Sequence, residues 1–215
     1  MKYQWNTWFS LSKYFLLALF IPTALLLMGS VITSIAMDIP IAVFTKDPLS
    51  FAALNPLTGL LSNIGMIFWS FTVAICLLTA FVLKDVSKRF EASVFLFFSG
   101  LITLVLLLDD FFMMHEVIYP QWIGIPEKIV MISYGVMILS YLYLFRHRIL
   151  KSDITLLVLF LSMFGVSAVI DLFIPDSLFD WHYLFEDGPK FIGIISWFGY
   201  LAFICVKELK LTLVK

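Results

Sequence analysis

The chain has 215 residues, 62% of them hydrophobic and 13% charged, with a mean hydropathy of +1.03. A soluble domain is nearer half apolar and a quarter charged, so this composition excludes a soluble globular protein, a disordered chain and a disulfide-stapled secreted domain. The net charge of −1 at pH 7 hides an uneven distribution, and the length predicts one integral membrane domain, residues 1–215, without a soluble appendage.

Six segments meet the length rule for a spanning helix, about 20 apolar residues across a ~30 Å hydrocarbon core. The first, Tyr14–Ala36, follows Lys2 and Lys13 like a secretory leader, but its apolar run is too long for one. It reads as an uncleaved span. A longer connection, Met37–Pro56, holds Asp38, Lys46 and Asp47 before the second span, Leu57–Leu83, which carries Ser62 and Asn63 near its start. The third, Ala92–Met114, runs into the string LLDDFFMMHE at Leu107–Glu116, then a loop with Tyr119, Pro120, Trp122 and Gly124. The fourth and fifth, Pro126–Phe145 and Ile154–Ile174, are joined by the short basic loop Arg146–Asp153. Next, Pro175–Gly188 is amphipathic and predicts a short helix lying in the membrane interface. The sixth span starts at Gly188–Pro189, where proline is tolerated in a first turn, and ends at Val206. Trp122, Trp181 and Tyr183 suit an interfacial aromatic belt. The expected fold is an all-α bundle of six transmembrane helices.

Six spans bring both termini to one side. That side receives eleven of the 14 Lys and Arg residues, and the other only Lys46, Lys128 and Lys190. The positive-inside rule then places both termini in the cytoplasm of a plasma or inner membrane. The acids run the other way. Asp85, Glu91, Asp153 and Glu208 lie inside, and the rest lie outside or in outer helix ends. Topology does not require that enrichment, so it needs another cause. Cys76 and Cys205 sit in apolar runs without metal-ligand spacing and read as packing residues.

At 100° per residue Asp109, Met113 and Glu116 share a helix face, flanked by Asp110 and His115. Asp109 lies ~26 Å along its helix at 1.5 Å per residue, and Asp171 lies equally deep in the parallel fifth span. A carboxylate facing lipid there costs at least ~2.5–3.5 kcal/mol, so both mark a functional site by default. In DWHYLFEDGPK, Asp180–Lys190, His182 and Glu186 are spaced to present an imidazole and a carboxylate together. Asp, Glu and His converging on one compartment suit a divalent cation: zinc, manganese or iron. The preferred ligands are Asp109, Glu116, His182 and Glu186, then His115, with Asp110 or Asp171 as proton acceptor to a metal-activated water. Lys190 is expected to pair with Glu186 or Asp187. Ser62 and Asn63 read as interhelical hydrogen-bond residues.

Some of these residues resemble the superfamily of membrane hydrolases that includes alkaline ceramidases and adiponectin-receptor-like proteins. Ser62–Asn63 followed by Met66–Ile67 is similar to its first-motif segment, LLDDFF to its leucine–leucine–aspartate–acid segment, and His182-x-x-x-Glu186 to its terminal HxxxH. That family has seven helices, a histidine on an early helix and a second histidine where Glu186 stands here. The resemblance implies a zinc-activated water hydrolysing a lipid amide or ester.

The function expected from the sequence is therefore a metal-dependent membrane hydrolase, acting on a lipid or lipid-linked amide or ester from the extracytoplasmic side. Two rivals use the same acids: a cation- or proton-coupled carrier or ion sensor, and a structural subunit that docks a partner protein. No P-loop or basic nucleic-acid surface is present, so membrane lipid is the expected partner and nucleic acid is not.

Overall fold

The computed structural model describes residues 5–174 and 182–213. Every regular element among the described residues is helical. Six helices are long and apolar enough to cross a membrane, and the protein is a multi-pass membrane protein. Their side chains supply the reason: Leu26, Ile35, Leu139 and Phe173 remain 66–78% exposed, which only a lipid surround makes tolerable.

The chain forms two compact units, Met1–Thr58 and Gly59–Lys215. In the first, α1 (Trp5–Ala36) contains Pro22. It ends with Asp38 in the left-handed region (φ 54°) and the Ile39 N–H bonded back to the Ser34 carbonyl, a closure that satisfies terminal carbonyls. Two short helices follow, α2 (Ala42–Thr45) and α3 (Pro48–Phe51). Asp47, expected in a plain loop, caps α3 by accepting the Ser50 N–H at 2.9 Å.

In the second unit α4 (Leu60–Leu83), α5 (Phe90–Phe112), α8 (Thr155–Phe173) and α9 (His182–Leu213) pack as a bundle, α4 against α5 and α9, and α8 against α9. Alongside stand α6 (Glu127–Leu144) and the single turn α7 (Arg146–Ile149). Trp69, Phe95, Phe160, Trp197 and Leu201 fill the core. Lipid removes the hydrophobic drive between spans, so close packing and buried hydrogen bonds must join them. Gly193 lets α9 approach α8 so closely that a Cβ there would lie 3.3 Å from the Phe164 backbone nitrogen. Ser99 and Tyr141 share a hydroxyl bond of 2.7 Å, and the Trp197 indole donates to the Thr103 hydroxyl at 2.9 Å.

Two local expectations are corrected. Between α5 and α6 the chain is not a loop but a π-helical segment, Met114–Ile123. The sixth span does not begin at Gly188–Pro189: α9 is continuous from His182, with Pro189 inside it. Proline removes one backbone bond, but its φ of about −65° is helical, so the turns on either side carry the helix through. The remainder of the predicted interfacial segment, residues 175–181 with Asp180 and Trp181, lies outside the described residues.

Candidate metal centre

Asp109 and Asp110 are neighbours near the end of α5, and their side chains enter two different networks. Asp109 is 4% exposed. Its Oδ1 accepts the His115 backbone N–H at 3.0 Å and the Tyr134 hydroxyl of α6 at 2.7 Å. Its Oδ2 meets His115 Nδ1 at 2.5 Å. Local geometry explains this convergence. Met113 takes a left-handed φ of 49°, which ends α5 and turns the chain back, so the wide π-turn starts directly over Asp109. The carboxylate then serves as the cap of that turn.

An imidazole bonded to a carboxylate through Nδ1 keeps its proton there and leaves the Nε2 lone pair free to bind. His115 Nε2 stands 3.5 Å from the Glu116 carboxylate. His115, Glu127 and Asp171 each offer a ligand atom, and these atoms lie within 4.8 Å of one another. One nitrogen and two oxygens from three elements are the donor set of a borderline divalent ion, and the Asp109 bond supplies the carboxylate–histidine support that such ligands usually have. Burial lowers the tendency of His115 to charge, but the hydrogen bond and charge of Asp109, with the charge of Glu116, outweigh it. Its pKa stands above the ordinary histidine value.

Asp110 faces the other way. Its Oδ1 holds the Lys190 ammonium at 2.8 Å and its Oδ2 accepts the Trp69 indole N–H at 2.9 Å. Lys190 therefore joins α9 to α5 and does not make the local pair expected for it. Two turns before Lys190 on α9, His182 Nε2 lies 3.3 Å from Glu186, with the imidazole 1% exposed.

Of the sequence candidates, Asp109 and His115 meet directly, Glu116 stands beside them, and Asp171 shares the three-residue group. His182 and Glu186 pair with each other, and Asp110 with Lys190. Ser62 and Asn63 lie exposed on the first turn of α4. Two participants escaped the sequence reading. Glu127 opens α6, and Tyr134 follows two turns later on the same face. That seven-residue spacing was the available signal, set among the other polar residues of the least apolar of the six spans.

The profile of a family described as a domain of unknown function (DUF8692) matches residues 16–204. No curated protein and no solved structure matches the chain.

Proposed function

The chain belongs to the DUF8692 family, which lends it no activity, and from the site itself we propose a metal-dependent membrane hydrolase. The observation that carries this reading is the meeting of His115, Glu127 and Asp171 ligand atoms within 4.8 Å, with Asp109 orienting the imidazole. A divalent ion bound there, zinc, manganese or iron, supplies Lewis acidity toward a carbonyl oxygen and toward water. The protein residues do the rest. Asp109 and Tyr134 fix the tautomer and tilt of His115. Glu116, more than half exposed and next to His115 Nε2, is placed to accept a proton and release it to solvent. Asp110 anchors Lys190 and so ties α9 to α5 behind the site.

The site lies where α5, α6, α8 and α9 begin or end, at a membrane boundary, so the substrate class is a lipid or lipid-linked amide or ester. The charge distribution supports cytoplasmic termini and a site on the extracytoplasmic face. The similarity of Ser62–Asn63 and LLDDFF to the ceramidase-like hydrolases points to the same chemistry. Between this end and the other the core is closed by Trp69, Phe160, Trp197 and Leu201, all at most 2% exposed, which favours an enzyme over a carrier.

The test is hydrolysis of a panel of lipid amides and esters by the purified protein in mixed micelles. Cleavage that stops with chelator, returns with one divalent ion and is lost in Glu127→Gln is the expected result. A protein that binds the metal tightly and cleaves none of them would be an ion-binding sensor instead.

A further inference from the structure

The other end of the Gly59–Lys215 unit carries a second feature, independent of the metal reading. A cleft of about 160 Å³ opens between the α7–α8 connection and α9. Glu208, 7% exposed, lines its interior and takes two guanidinium groups, Arg148 at 2.6 Å and Arg89 at 3.4 Å. Within the lining Glu208 balances Arg148, and Arg89 reaches the same carboxylate from outside it. Lys151 and Lys207 add two exposed ammonium groups at the opening. The remaining acid, Asp153, is exposed and accepts the Thr155 N–H at 3.0 Å; with its charge counted, Arg148, Lys151 and Lys207 still outnumber Glu208 and Asp153 by one among the lining residues. The Ser152 and Tyr200 hydroxyls are already engaged, Ser152 donating to the Ile149 carbonyl at 2.7 Å and Tyr200 to Ser152 at 3.0 Å, so the donors open to a ligand are the ammonium and guanidinium groups.

The cleft therefore holds surplus positive charge and several donors, the chemistry that recognises a phosphate oxyanion. Two of its walls are different in kind. Ile204 is buried and Phe203 is 62% exposed, on the part of α9 that is apolar enough to span. A free phosphate has no use for an apolar wall running into the membrane, whereas a lipid phosphate must leave its acyl chains along one. We propose that this cleft binds the phosphate of an anionic phospholipid, with the headgroup on Lys151, Lys207 and Arg148 and the chains against Phe203. Basic pockets between spanning helices at the lipid headgroup level take anionic lipids in this way.

The full-length protein in neutral detergent, mixed with phosphatidylglycerol or phosphatidylcholine and read by native mass spectrometry, tests this directly. Retention of phosphatidylglycerol and not phosphatidylcholine is expected, weakened about fivefold for each cleft lysine removed, so about 25-fold in Lys151→Gln/Lys207→Gln. Lys84→Gln/Lys210→Gln removes the same charge from exposed positions outside the cleft and should leave retention unchanged. Lys151→Arg/Lys207→Arg, which keeps the charge, should retain lipid and so separates a lost site from a lost fold. Equal weakening in both glutamine pairs, equal retention of the two lipids, or full displacement by millimolar inorganic phosphate would overturn the proposal.

Discussion

Each end of the Gly59–Lys215 unit is organised around one buried carboxylate, and the two are used in opposite ways. At one end Glu208 receives two arginines, so its charge is answered by the protein. At the other, Asp109 receives a histidine, a tyrosine and a backbone N–H, and the imidazole it orients looks toward two more carboxylates. Of the cations near them, Lys190 is bound to Asp110 and Lys128 lies over the Phe173 ring. The first end has positive charge left over, on Lys151 and Lys207. The second is short of positive charge, and the account here is that a divalent ion supplies it.

That contrast is most sharply broken by neutralising the ligands. Glu127→Gln or Asp171→Asn keeps the side-chain shape and removes one anionic donor. Each should weaken metal binding by more than the ~10–100-fold typical of losing an outer-shell partner, measured by competition with a chromophoric chelator. In metal-free protein the same changes should leave thermal stability unchanged or raised, because they relieve repulsion between carboxylates. Glu208→Gln should do the reverse. It strands two guanidiniums and should cost about 2–3 kcal/mol of stability, below the ~3–5 of a fully buried pair because both arginines still reach water. Unfolding in mixed micelles gives that number.

Asp109→Asn is subtler and falls next in size. The amide oxygen can still accept from Tyr134 and from the His115 backbone. Its NH₂ group then faces Nδ1, which must give up its proton and move it to Nε2, the nitrogen needed for the metal. Affinity should drop ~10–100-fold with little change in fold. The control is Asp47→Asn in the other unit: asparagine caps helices as well as aspartate does, so metal content, activity and stability should all stay as they were. Gly193→Ala should lower stability by ~1 kcal/mol, since the Phe164 backbone must yield to the new methyl group.

The sequence revealed the spans because hydropathy is local: twenty apolar residues in a row leave one structural choice. Asp109 and Asp171 stood out in the sequence for a related reason, as costly residues at membrane depth, and His115 only as a neighbour of Asp109 past that helix end. What the sequence hid depends on tertiary geometry. Glu127 looks like an ordinary helix-start acid until α6 is docked beside the π-turn. The turn itself depends on Met113 adopting a left-handed conformation that its side chain disfavours, held by the bonds to Asp109. Gly188–Pro189 reads locally as a helix start, and α9, already continuous from His182, overrides it. Lys190 showed many local acids to choose from, yet its partner is Asp110 on another helix.

The central claim is that the acidic end is completed by one metal ion. Elemental analysis of the protein, purified without chelator, tests it with no assumption about substrate. About one zinc, manganese or iron per chain is expected in the wild type and in Asp47→Asn, and none in Glu127→Gln/Asp171→Asn. A wild-type protein that carries no transition metal, and takes up none on titration, would contradict it.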